Sequence, residues 1–307
     1  MSRVVVMMST YNGERFLREQ IDSIRAQRDV DVTLVIRDDV SHDSTPEIIA
    51  EAAQGRDDIV TKPSMERMGP GKSFISMLYQ CFDDYGDSAD YYAFADQDDV
   101  WLPDKLAVAV SALKTLPAGR PGLYCSNQIV YKDGRRCGMR FSEPPNMTLA
   151  GHITRNLPSG CTYLLNRELV RAVCEADHAD DRIIERRIHD SWMMLVALSI
   201  GSVIYDHDSY ILYRIHDHNT VGIEKDPWAK VMKVKYRNLT DREFAHYRRR
   251  TAAQLLKSFP DISGRNREIL EEVAYYTENH ELKQRLLKDN EVMAGIGSPL
   301  KVILNIV

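Results

Sequence analysis

Three things are scarce in this 307-residue chain. Cysteine is one: Cys81, Cys125, Cys137, Cys161 and Cys174 are odd in number and scattered, with no Cys-x-x-Cys pair. That excludes a zinc ribbon or a disulfide framework and suits a reducing compartment. Long apolar runs are another, since no stretch reaches the roughly 18 residues needed to cross a bilayer. The run Val4–Met8 is too short for a signal peptide and reads as a first strand, so a soluble, cytoplasmic protein is expected. The third absence is a glycine-rich phosphate loop. Gly71-Lys72-Ser73 resembles the end of one, but that motif requires glycine where Glu66 stands, which argues against ATP hydrolysis. Net charge is low, at −5, which argues against general nucleic-acid binding. No repeat or low-complexity tract is present.

What is there is enough for one large core and an appendage, with 44% hydrophobic residues. Strands and helices alternate through the first half. Val4–Met8, Val32–Ile36, Ile59–Thr61 and Tyr91–Ala95 read as strands. Helices are expected over Glu14–Ala26, from a capping box at Ser44-Thr45-Pro46-Glu47, over Ser73–Phe82 and from Pro103 to about Leu116. Repeated β-α-β units imply a mostly parallel sheet covered on both faces. Beyond Gly122 the pattern is irregular. Strands are expected at 122–126, 161–165, 203–205 and 210–213, with helices from Arg167 and over His189–Ser199. Composition shifts near 222, dividing the chain into 1–222 and a helical, basic extension, 223–307. Residues 225–257 carry ten Lys or Arg against three acids.

Phe94–Pro103 sets three carboxylates, Asp96, Asp98 and Asp99, directly behind an apolar strand. Like charges so close repel one another unless a cation lies between them, and hard divalent ions take oxygen ligands and bridge to phosphates. Strand ends at Ser9-Thr10-Tyr11-Asn12-Gly13-Glu14 and Asp38-Asp39 would reach the same carboxyl edge, where open α/β sheets bind ligands. A tyrosine that stacks, a small hydroxyl and two carboxylates suit a nucleotide.

These runs, with His189-Asp190-Ser191-Trp192 and Tyr213-Arg214-Ile215-His216, resemble glycosyltransferase family 2, in its bacterial rhamnosyltransferase-like branch, over roughly residues 3–222. The resemblance implies a GT-A fold, a nucleotide-diphosphate sugar donor, a divalent metal (Mg²⁺ or Mn²⁺) and inversion at the anomeric carbon. It implies Ser9, Thr10, Tyr11, Glu14 and Asp39 at the nucleotide, Asp96 near the ribose, Asp98 and His216 on the metal, and Asp190 as catalytic base. Asp99, Trp101, Gly160, His189, Trp192 and Arg214 are candidate donor or acceptor contacts. Val40 stands where the family has glycine; valine does not readily take positive φ, so this turn is expected to differ. Gly69-Pro70-Gly71-Lys72 also departs from the family's Asn-Leu-Gly.

The acceptor implied is a saccharide or a polyprenyl-diphosphate-linked glycan. Residues 225–257 read either as a solvated helical face or as a peripheral contact with an anionic membrane. The apolar tail Leu300–Val307 has three candidate partners: the main domain, lipid, or a second copy in a homo-oligomer. Two other functions fit the sequence less well. A non-catalytic nucleotide-sugar-binding scaffold would have little use for a positioned base. A nucleotidyltransferase needs a glycine- and arginine-rich loop that Tyr11–Arg15 does not supply.

Overall fold

The computed structural model describes residues 1–154, 158–217 and 246–305. Its central strand, β1 (Ser2–Thr10), runs parallel to β2 (Val30–Asp38) on one side and to β4 (Tyr91–Ala95) on the other. Beyond β2 lies β3 (Ile59–Lys62). On the far side of β4, β9 (Leu164–Asn166) runs antiparallel to both β4 and β6 (Gly122–Ser126), and β10 (Ser202–Asp206) ends the sheet parallel to β6. The order is β10-β6-β9-β4-β1-β2-β3.

The unbroken apolar run of β1 follows from burial on both faces. Side chains alternate across a strand. Val4, Val6 and Met8 therefore enter one core with α1 (Leu17–Arg25), α2 (Thr45–Ala53) and α4 (Lys105–Leu113). Val5 and Met7 enter the other, with α3 (Pro70–Tyr85), α5 (Leu149–Thr154), α6 (Arg167–Glu175) and α7 (Asp181–Ile200). That second core also receives α8 (Tyr247–Ser258), α9 (Gly264–Tyr275), α10 (His280–Lys288), α11 (Asn290–Ile296) and α12 (Pro299–Ile303). Leu255, Leu270, Leu286 and Val302 belong to it, as does Trp192 of α7.

A second sheet, of order β5-β11-β7-β8, sits over the carboxyl edge. It joins β5 (Val100–Trp101), β7 (Ile129–Lys132), β8 (Arg135–Met139) and β11 (Ile211–Arg214). β11 matches the strand expected at 210–213; the β7–β8 hairpin is an addition to the expected elements, its turn using positive φ at Asp133 (49°) and Gly134 (77°).

Several boundaries differ from expectation. α1 begins at Leu17 because the amides of Phe16 and Leu17 both bond the carbonyl of Gly13. The capping box before α2 does not form: the Ser44 hydroxyl makes no cap, and Glu14, not Glu47, accepts the Ser44 amide (3.0 Å). α7 starts well before His189 and kinks at Ile188, where φ is 54° and ψ 167°. Of the tail, Val302 is buried while Leu300, Ile303 and Leu304 are exposed. The boundary near 222 and most of 225–257 lie outside the described residues. Among those described, no helix is long and apolar enough to cross a membrane.

Because α8 shares a core with α7, Leu255→Ala should destabilise the whole chain by about 2–5 kcal/mol. Calorimetry should show one transition at lower temperature. A separate early transition, with the rest unmoved, would show that the carboxyl-terminal helices fold independently.

Candidate active site

The ends of β1 and β2 are locked together before any ligand is considered. Thr10, only 1% exposed, donates its hydroxyl to Asp38 (2.9 Å), which also accepts from the amide and hydroxyl of Ser41 (2.9 and 2.6 Å). Thr10 thus fastens the ends of β1 and β2 together, with its side chain turned into the protein. Glu14 is exposed and braces the start of α2. The side chain of Gln97 clamps the backbone of Tyr11, accepting its N–H (2.8 Å) and donating to its carbonyl (3.0 Å). A Cβ at Gly13 would lie 2.3 Å from Gln97 Oε1, so a larger residue there would displace the clamp. The Tyr11 ring lies under the Arg67 guanidinium, 3.7 Å from the ring centroid, in a cation–π contact.

Asp39 is buried and accepts from Arg37 Nη1 (2.9 Å) and from the amides of Met68 (2.8 Å) and Gly69 (2.7 Å). Arg37 also bonds Ser73, whose hydroxyl meets that of Ser9 at 2.7 Å. Val40 does adopt the conformation expected to exclude it, with φ of +64°. The bonds of Asp39 and Ser41 on either side hold it there. A β-branched residue in this region is strained by about 1–3 kcal/mol.

Beyond β4, Asp98 Oδ2 lies 2.8 Å from Nε2 of His216, which the second sheet delivers through β11. Asp99 is fully buried; Oδ1 accepts the Arg214 amide (3.0 Å) and Oδ2 has no hydrogen-bond partner. Oxygens of Asp96 and Asp99 and the sulfur of Cys161 lie within 4.8 Å of one another. Burial, then the charges of Asp98 and Asp190, push the Asp96 carboxyl up to about 7. Asp99 is raised well above the usual range by burial, then by Asp98 and Asp96. The residues fit a hard divalent cation: clustered carboxylate oxygens, an imidazole at Asp98, and a buried oxygen without a partner.

Asp190 follows the α7 kink. Its Oδ2 accepts from the Gly160 amide (3.2 Å) and Oδ1 from that of Ser191 (2.6 Å). Gly160 is fixed by crowding, since a Cβ would lie 2.8 Å from His189 Nε2 and 2.9 Å from Asp190 Cβ. His189 packs on Phe74 and Phe94, with centroids at 4.1 and 4.7 Å, and Nδ1 unpartnered. Burial lowers its pKa to about 3, so it stays neutral.

Three further candidate contacts have packing or bracing roles. Trp101 and Trp192 are each 2% exposed and belong to the two cores. Arg214 braces the cluster from behind, donating to the Asp98 carbonyl (2.7 Å) and pairing with Glu19 (2.6 Å). Sequence reading missed Gln97 as a clamp and Arg140, which reaches Ser159 and Gln128 at 2.5 Å. It also missed Lys105, buried with its ammonium 3.6 Å from the Trp101 ring centroid. Only Gln97, set inside the acidic run, carried a local signal.

Solved structures share the fold. S. aureus TarS 1–349 in complex with UDP-GlcNAc matches with a TM-score of 0.59 at 15% identity, covering 100% of this chain and 82% of that one. Of a longer TarS chain, this one spans 49%. The mannosyltransferase PcManGT from Pyrobaculum calidifontis, in complex with GDP-Man and Mn²⁺, matches at 0.51 and 16% identity, over 97% and 86%. The fold is GT-A, that of nucleotide-sugar glycosyltransferases. The model of Glycosyl transferase family 2 matches residues 5–164. The dTDP-rhamnosyl transferase RfbG of Shigella flexneri is 30% identical over 240 residues, 76% of this chain and 78% of that protein. An uncharacterized glycosyltransferase of Rickettsia typhi is 24% identical over 224 residues, 71% and 66%. The chain belongs to glycosyltransferase family 2, and it is a rhamnosyltransferase-like glycosyltransferase.

Val40→Gly should stabilise the protein by about 1 kcal/mol, the strain of about 1–3 less the ~0.5–1 that glycine's flexibility costs. A melting curve at or below wild type would mean that the turn holds valine without strain. His189 gives a pH signature. Its folded pKa lies below the ordinary 6.5, so the unfolded chain binds the extra proton. Its contribution is present above 6.5 and is lost as pH falls toward the folded value, by at most about 1.4 kcal/mol per pH unit. Denaturant melts of His189→Phe should show a shallower acid limb over that window; an unchanged slope would show that His189 is not buried neutral.

Proposed function

We propose that the protein is an inverting, metal-dependent transferase that moves a sugar, with rhamnose from dTDP-rhamnose the first choice, to a saccharide or polyprenyl-diphosphate-linked glycan. The reading is carried by one observation: the adjacent residues Gly160 and Cys161 join Asp190, bonded to the Gly160 amide at 3.2 Å, to Asp96 and Asp99, which lie within 4.8 Å of the Cys161 sulfur. A nucleophile's base and a leaving group's counter-charge belong on opposite sides of the atom between them. The similarity to RfbG supports the choice of sugar.

In this reading the nucleobase stacks on Tyr11, and Asp39 fixes the Met68–Gly69 turn beside it. Asp98 and His216, with Asp99 behind them, would hold a Mg²⁺ or Mn²⁺ that supplies counter-charge for the departing diphosphate. Asp190 accepts the proton of the acceptor hydroxyl. The new oxygen–carbon bond forms at the anomeric carbon as the bond to the diphosphate oxygen breaks on the opposite face, inverting it. The amides of Gly160 and Ser191 hold the direction of the Asp190 carboxylate. His189, neutral and wedged between phenylalanines, keeps that end of the cleft rigid.

Residues 1–222 would form the transferase unit and 223–307 its extension. The basic stretch 225–257 would hold the enzyme to an anionic membrane surface from the cytoplasmic side, each cation near it contributing about 1 kcal/mol.

Titration calorimetry with dTDP-rhamnose and Mn²⁺, together with turnover, tests the assignment. Asp190→Asn should lower kcat about 10²–10⁴-fold while donor affinity holds. Asp98→Asn should abolish turnover and the metal-dependent part of donor binding. Donor binding lost in Asp190→Asn would move that residue to the donor side, and wild-type turnover in Asp98→Asn would remove it from the metal.

A further inference from the structure

The first turn of α3 touches both ends of the cleft. On the nucleotide side, the amides of Met68 and Gly69 bond Asp39, and the Ser73 hydroxyl meets Ser9 and Arg37. On the other side, Lys72 Nζ pairs with Asp181 (3.0 Å) and Glu185 (2.7 Å) in the first half of α7, and Phe74 packs on His189. Between these contacts stands Gly71. A Cβ there would lie 2.8 Å from the carbonyl oxygen of Ile184 and 3.3 Å from Cα of Ile188. Both are main-chain atoms and cannot swing aside. Ile188 itself has φ of 54° and ψ of 167°, a combination essentially confined to glycine. Such a conformation persists only where its surroundings impose it.

We infer that Gly71 is a positioning residue for Asp190: its bare Cα lets α7 close against α3, which holds Ile188 in its positive-φ kink and turns Asp190 toward the Gly160 amide. Lys72 anchors the approaching half of α7 in the same closure. The inference deepens the proposed function, since it rests on Asp190 being the base. It also gives a purpose to Gly69-Pro70-Gly71-Lys72, the stretch that departs from the family's Asn-Leu-Gly. If Gly71 were small only to let two helices cross, enlarging it would lower stability without selectively displacing Asp190.

The experiment compares wild type, Gly71→Ala, Gly71→Ala/Ile188→Gly and Lys72→Ala. For Gly71→Ala, kcat should fall at least tenfold, because a shift of about 1 Å in a reacting group can cost 10²-fold. Affinity for dTDP-rhamnose with Mn²⁺ should stay within about twofold on the same argument, as the Asp39 contacts precede the altered residue. Glycine at 188 adopts the kink freely and lets it shift, so the double variant should recover part of the loss. Equal loss of donor affinity, or unchanged turnover in folded Gly71→Ala, overturns the inference. If Gly71→Ala does not fold, Lys72→Ala decides: a several-fold fall in kcat at constant donor affinity supports it, and unchanged kcat overturns it. Hydrogen exchange gives a readout independent of activity. Peptides over 158–163 and 188–195 should lose protection in the variants while 34–41 keeps it; uniform loss, or none, overturns the inference. Should wild type transfer no sugar, the proposed function fails while the exchange data still judge the role of Gly71.

Discussion

Mutual repulsion among Asp96, Asp98, Asp99 and Asp190 is the constraint around which the molecule is arranged. Four carboxyl groups share a partly desolvated cleft, and charges there interact far more strongly than in water. The fold relieves this locally. Asp99 is given the Arg214 amide, Asp98 the His216 ring, and Asp190 the amides of Gly160 and Ser191. Asp96 and Asp99 relieve the rest by holding protons more tightly. The second sheet exists to make some of these contacts, since Arg214 and His216 reach the cluster only because β11 pairs with β5.

The strain at the rim is part of the same arrangement. Asn12, Val40 and Ile188 all have positive φ, and they stand at the ends of β1, β2 and the first half of α7. In each case the chain turns sharply to present a neighbour: Tyr11, Asp39 and Asp190. Side chains are aimed at the cleft by backbone that would relax elsewhere if its supports were removed.

Much of this was legible in the chain. The apolar runs of β1 and β4 marked strands buried on both faces, and the carboxylates behind them marked the active edge. The second sheet was legible only in part. Asp133-Gly134 is a strong turn signal that the irregular region around it obscured. The pairing of Ile211 with Trp101 joins residues over a hundred positions apart, and no local pattern announces it. Trp101 and Trp192 sit beside acidic residues, and sequence does not distinguish an aromatic that meets ligand from one that fills a core. The Ser44–Glu47 box was overruled because Glu14, distant in sequence, reached the Ser44 amide. Lys105 reads as an ordinary charge at a helix start, and only its packing against Trp101 reveals its burial.

The reversal of β9 has an evolutionary consequence. Its parallel neighbours present the loops that leave them at the reactive rim, whereas β9 presents the loop that enters it, which is why Gly160 and Cys161 meet the carboxylates. The Gly160 amide bonds Asp190 and the Cys161 sulfur lies beside Asp96 and Asp99, so one short turn touches both halves of the acidic cluster. A single substitution in it would be felt on both sides at once, which leaves the stretch 160–161 far less room for evolutionary change than an ordinary surface loop.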